Sequence, residues 1–165
     1  EDRRKQGLVV DATVASNITD AIRPTLTRFG LITNRSENTA AQVWAGKLEV
    51  KTNALDAVAG TLSGGNQQKV VLAKWLASNP KVLIIDEPTR GIDVGTKAEV
   101  HRMMSELAGM GLAILMISSE LPEVLGMADR VLVMREGHLT ATIDRAEATA
   151  ENVMFAATHA AGEVA

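Results

Sequence analysis

Cysteine is absent from this 165-residue chain, which excludes a disulfide framework and any thiolate-ligated metal and fits a reducing compartment. Aromatics are nearly missing too: there are two tryptophans, two phenylalanines and no tyrosine. A core must therefore be assembled from Leu, Val, Ile, Ala and Met, and neither Trp44 nor Trp75 has aromatic neighbours for a stacking platform. Positive charge is not in excess. With 17 Lys and Arg against 20 Asp and Glu, the formal net charge of −3 gives no electrostatic case for nucleic acid. No apolar run approaches the roughly 20 residues that a membrane-crossing helix needs. The longest, Leu112 to Ile117, is strand-sized. No secretory leader opens the chain, which starts on Glu1 rather than Met, so a piece of a longer polypeptide is expected. The length still allows one domain with a real core.

What is present falls into two grammars. To about Thr61 the chain is polar and helix-leaning, without strong strand runs. A short helix is expected around Ser16-Asn17, limited by Pro24, then a longer one from about Ser36 to Lys47. Asn53 to Ala59 suggests another helical turn or two. From Leu62 onward strands and helices alternate. Ser63 is a good N-cap for a helix running from Gln67 to Ala77, apolar nearly all round and stopped by Asn79-Pro80. Val82 to Ile85 is a continuous apolar run, the pattern of a central parallel strand covered on both faces.

Val100, Met103, Met104 and Leu107 then form one helical stripe, for which Thr96 to Glu99 offers a capping box. Gly109 and Gly111 end it before a second buried strand, Leu112 to Ser118. A short helix near Pro122 to Met127 follows. Val131 to Met134 and Leu139 to Ile143 read as a hairpin turning at Glu136-Gly137, and Thr149 to His159 as a last helix. The fold class expected is α/β, with a helical segment over residues 1–78 and part of a mainly parallel core of alternating strands and helices over 79–165.

Two tracts carry chemistry. Ser63-Gly64-Gly65 stands at a helix start, where N–H groups and the helix dipole favour an anion and glycines let backbone approach a ligand. Alone, a serine-capped loop would explain it as well. Asp86 and Glu87 end a buried strand. A carboxylate there can hold Mg²⁺, usually through water, and a second can polarise water for attack on a γ-phosphate. Pro88 ends the strand and helps fix both acids. Strand-terminal acids one helix after a glycine-rich helix start suit a nucleotide machine better than two unrelated turns.

One further absence matters. Gly60 to Gly65 has the two-glycine spacing of a phosphate loop, but Asn66-Gln67 stands where Lys-Ser is required. Gly91 to Lys97 has a lysine at the wrong spacing. Neither can neutralise β- and γ-phosphates, so the site is incomplete within this sequence. His101, His138 and His159 lack ligand-spaced partners, and the methionines sit at core-compatible positions.

These residues resemble the ATP-binding-cassette ATPases. Leu62-Ser63-Gly64-Gly65-Asn66-Gln67-Gln68 is similar to that family's signature motif, and Val82 to Glu87 to its Walker B strand with the catalytic glutamate. Gly91-Ile92-Asp93 occupies the place of the D-loop, and Ile117-Ser118-Ser119-Glu120 that of the switch loop. The Asn66 variant, with Pro88 to Gly95, is most similar to importers of ribose, galactose, xylose or rhamnose in which two cassettes are fused. Glu1 to Arg4 resembles the segment after the phosphate loop of their second cassette, and Glu1 falls near the usual permease-sensing glutamine. Ser119 replaces the switch histidine and cannot carry a proton-linked positive charge.

The resemblance implies an ATPase that is active once assembled with the missing phosphate loop and a partner cassette, the isolated fragment being inactive. ATP-binding residues in trans would be Ser63, Gly64, Gly65, Asn66 and Gln67. Asp86 would hold Mg²⁺, Glu87 and Ser119 would occupy the catalytic positions, and Asp93 would sit at the seam between cassettes or simply cap its helix. Implied partners are the other cassette, transmembrane permease subunits and, indirectly, an extracytoplasmic sugar-binding protein, with the cassette peripheral on the cytoplasmic face of the membrane. Two alternatives stay open: the head of a DNA-associated SMC-type ATPase, and a nucleotide-binding module that does not hydrolyse.

Overall fold

The structure is a computed structural model and describes residues 7–27 and 30–159. The charged opening from Glu1 to Lys5, and the alignment of Glu1 with a permease-sensing position, lie outside the described residues. By the density of internal contacts the chain divides into two compact units, Glu1–Leu115 and Met116–Ala165.

In the first unit, helix α1 (Val14–Thr19) is capped by Thr13, whose hydroxyl accepts from the Ser16 N–H. A 3-10 turn (Asp20–Ile22) leads into the single-turn helix α2 (Arg23–Leu26). Pro24 sits in the first turn of α2, where its missing N–H costs nothing. It therefore opens a second helix rather than merely limiting the first. Helix α3 (Asn34–Lys47) is capped by Thr33. Helix α4 (Gly64–Leu76) follows, and α1 packs against both α3 and α4. Val14, Ile18, Ala41, Val70 and Ala73 are all fully buried, so this helical core rests on small and branched side chains. The helical turn expected over Asn53 to Ala59 does not form there. The helical geometry is a single 3-10 turn at Ala59–Thr61, because the preceding backbone is spent on α1: Val14 and Ala15 donate to the carbonyls of Ala57 and Leu55.

Strand β1 (Val82–Asp86) pairs with β2 (Ala113–Ile117) across the crossover helix α5 (Val94–Gly109). The Ala113 N–H donates to the Lys81 carbonyl, so both strands begin at the same end, as a parallel pair must. The expectation that β1 is covered on both faces is corrected. Its burial alternates: Leu83 and Ile85 are buried, whereas Val82 is 58% and Ile84 65% exposed. With two strands and period-2 alternation, only the face carrying Leu83 and Ile85 finds cover among the described residues.

The second unit contains α6 (Leu121–Met127), β3 (Arg130–Arg135), β4 (His138–Asp144) and α7 (Ala150–Thr158). β3 and β4 form an antiparallel hairpin with an irregularity between Val133 and Met134. Glu136 and Gly137 both take positive φ, 50° and 81°, the turn geometry that matches strand twist. Val131 and Val133 of β3 and Val153 of α7 form its buried cluster, packed against by Leu121, Val124, Leu125 and Ile143.

Candidate functional site

Ser63 caps α4 in extended conformation, with φ −60° and ψ 156°. Its hydroxyl oxygen accepts from Asn66 twice, from the side-chain Nδ2 at 2.9 Å and from the backbone N–H at 3.5 Å. Asn66 is anchored in turn, because its Oδ1 accepts from the Lys51 N–H at 2.7 Å. The serine hydroxyl is thus exposed but oriented, and Gly64 beside it is exposed as well. Gln67 is 5% exposed, and its amide donates to the carbonyls of Leu62 at 2.9 Å and Gly60 at 3.4 Å. It braces the loop that leads into the helix.

Gly65 is buried, and the reason lies on another helix. A Cβ at Gly65 would stand 2.3 Å from Thr96 Cγ2. Thr96 belongs to the first turn of α5, whose N-cap is Asp93. Asp93 Oδ1 accepts from the Thr96 N–H at 3.0 Å, and the Thr96 hydroxyl donates to Asp93 Oδ2 at 2.7 Å. The Thr96 hydroxyl, and then its N–H, hold the Asp93 carboxyl below its ordinary value. The capping box expected at Thr96 to Glu99 is corrected: the helix begins three residues earlier, so Thr96 donates to the cap and does not form it. Asp93 does what the simpler reading of it required.

Glu99 makes a different bond. Lys69 of α4 reaches it at 2.8 Å, with the lysine side chain 5% and the glutamate 41% exposed. The hydrogen bond and charge of Lys69 hold the Glu99 carboxyl below its usual range. Lys69 also donates to the Glu49 carbonyl at 3.3 Å.

Asp86 is exposed at the end of β1. Glu87 follows in left-handed conformation, φ 49°, before buried Pro88 and Thr89. A non-glycine residue held there costs about 1–3 kcal/mol, and such strain gathers at functional sites. The two adjacent carboxylates suit a partly hydrated Mg²⁺, which takes one or two protein carboxylates and substrate phosphates rather than an all-protein cage. Among the described residues there is no group of three or more His, Cys, Asp or Glu that would form such a cage.

Ser119 lies in the second unit and is exposed. Its neighbours are fixed by Ser118, which bonds the buried carboxylate of Glu123 at 2.5 Å and accepts from the Glu120 N–H at 3.0 Å.

The structure therefore brings together Ser63 with Asn66, and Gly65 with the Asp93 turn through Thr96. Sequence reasoning missed Thr96 and Lys69 as members of the site. One signal was available. A lysine inside a helix that is apolar nearly all round needs a partner for its charge, and Glu99 is that partner.

The family model described as "ABC transporter" matches residues 3–90. The chain is 63% identical over 158 residues to the ribose import ATP-binding protein RbsA 1 of Streptomyces coelicolor, covering 96% of this chain and 31% of that protein. It is 59% identical over 158 residues to the ribose import ATP-binding protein RbsA of Rhodococcus jostii, with the same coverage of each. The chain thus spans about a third of the length of the curated relatives it matches. Among solved structures, the ADP conformation of MJ1267, an ATP-binding cassette of an ABC transporter, aligns with TM-score 0.66 and 25% identity over 83% of this chain and 57% of that one. The dimeric post-hydrolysis state of the cassette MJ0796, bound to ADP and Pi, aligns with TM-score 0.69 and 20% identity over 85% of this chain and 60% of that one, a likeness of fold. No helix among the described residues is long and apolar enough to cross a membrane.

Proposed function

Since the chain belongs to the ABC transporter family, we propose that it is part of the second ATP-binding cassette of a monosaccharide importer, coupling ATP hydrolysis to sugar uptake. The observation that carries this reading is identity of 63% across nearly the whole chain to a protein named for ribose import. The first 78 residues supply the helical subdomain and signature helix, and the remainder supplies the strand-end acids and switch turn.

ATP is the substrate. Ser63 and the N–H groups of the glycine turn contact the phosphates of an ATP gripped chiefly by another cassette, and Asn66 keeps the serine hydroxyl aimed. Gln67 acts from beneath by holding the loop. In the site this cassette grips for itself, Asp86 would hold Mg²⁺ and Glu87 would polarise the attacking water. The chemistry Mg²⁺ would supply there is neutralisation of charge on the phosphates. Ser119 stands where a protonatable side chain would assist, so this second site turns over less. Partners are the other cassette and transmembrane permease subunits, with a sugar-binding protein acting outside and the cassette peripheral on the cytoplasmic face. The reading as a DNA-associated head finds no support in the relatives' names or in the charge balance.

The test is steady-state ATPase activity of the full-length protein. Ser63→Arg should abolish most turnover, whereas Glu87→Gln should remove distinctly less. Equal losses from both would contradict the asymmetry, and undiminished activity in Ser63→Arg would contradict the site.

A further inference from the structure

Two helices of the first unit begin on motifs singled out in the sequence: α4 at Ser63-Gly64-Gly65, which the proposed function sends to nucleotide, and α5 at Asp93, expected at the seam between cassettes. Their first turns touch. The Cβ that any other residue would place at position 65 meets Thr96 Cγ2 at 2.3 Å, Thr96 Oγ1 at 3.1 Å and Thr96 Cβ at 3.3 Å, so a side chain enters only if the Thr96 side chain gives up its place or one helix shifts. The glycine is therefore required by α5 of the same chain, whatever the nucleotide also asks of it. Thr96 divides its work. Its methyl fills the space over Gly65 while its hydroxyl holds Asp93 Oδ2 at 2.7 Å. One turn along each helix, Lys69 and Glu99 close a second tie at 2.8 Å.

We propose that Thr96 is a positioning residue that locks the signature end of α4 to the Asp93 turn, so that the two elements move as one body. Lys69 and Glu99 brace that body from the next turn. A change imposed on Asp93 by a neighbouring cassette then reaches Ser63 through the Thr96–Gly65 contact, without passing through the sheet. This rests on the reading of Ser63 and Gly64 as contacts to ATP.

The experiment uses the full-length transporter, with MgATP as the probe, kcat and KM measured separately, and thermal melts confirming folding at the assay temperature. Gly65→Ala should lower kcat by about tenfold or more, since small misplacements of phosphate-positioning groups are costly. Adding Thr96→Ser removes the obstructing methyl but keeps the hydroxyl on Asp93, and should recover most of that loss. Thr96→Val, which keeps the methyl and removes the hydroxyl, should lower kcat about fivefold with little change in KM. If Gly65→Ala does not fold, the Thr96→Val measurement decides, and unchanged kcat there overturns the proposal. Failure of Thr96→Ser to rescue a folded Gly65→Ala also overturns it, because the nucleotide alone would then demand the glycine. Ser63→Arg separates the two levels. A dead Ser63→Arg with no rescue rejects the joint and leaves the ATP site standing, whereas an active Ser63→Arg rejects the site itself.

Discussion

Lys69 carries its charge into the side of α4, where it is 4% exposed and meets a glutamate that keeps much of its surface in water. That difference sets unequal costs for losing either partner. Glu99→Ala leaves a buried ammonium without its counter-charge, held by the Glu49 carbonyl, whereas Lys69→Met leaves a carboxylate that water can reach and a side chain of suitable length for the gap. Urea melts should therefore rank Glu99→Ala as more destabilising than Lys69→Met, and the reverse order would show that the lysine is solvated. The same pair gives a pH dependence. Glu99 and Asp93 have folded values below their ordinary 4.5 and 3.8, so each contributes stability that is present above those values. This contribution is lost as pH falls through the lowered folded values. Glu99→Gln should flatten the decline of melting temperature in acid below about pH 4.5, where the wild-type chain loses this contribution. An unchanged acid slope would remove the pair from the account.

At the scale of elements, local chemistry was legible wherever a short-range rule decided the outcome. Ser63 and Asp93 cap their helices, and Glu136-Gly137 turns a hairpin because two consecutive positive-φ residues fit the strand twist. Gly137, at φ 81°, should tolerate Val poorly: Gly137→Val costs about 1–2 kcal/mol of the second unit's stability in chemical denaturation, from steric strain alone. No loss would mean that the turn refolds into another type. What stayed hidden was set by distant partners. Asn53 to Ala59 has helix-compatible residues, but its carbonyls satisfy α1, a demand that no local pattern encodes. The glycine tract was recognisable as a helix start for an anion. That one of its glycines is excluded from larger side chains by α5 depends on how two helices cross, which spacing along one of them does not contain.

Over the whole molecule, the continuous apolar run of β1 promised burial on both faces, and one face is open among the described residues. Ile84 is 65% exposed while adjacent Ile85 is 6% exposed. In the 165-residue chain, Ile85→Ala should cost about 2–5 kcal/mol and Ile84→Ala far less. In a protein of the relatives' full length, about three times as many residues, Ile84→Ala should become costly as well. Equal costs for Ile84 in the two proteins would mean that nothing covers this face. The central claim is that Ser63 and its glycine turn serve an ATP gripped chiefly by another cassette, and a structure of the full-length transporter trapped with a nonhydrolysable ATP analogue tests it most directly. The account predicts the Ser63 hydroxyl within hydrogen-bonding distance, about 3 Å, of a γ-phosphate oxygen whose lysine ligand comes from the other cassette. A Ser63 turned to bulk water in that state, with the nucleotide held by one cassette alone, would contradict it.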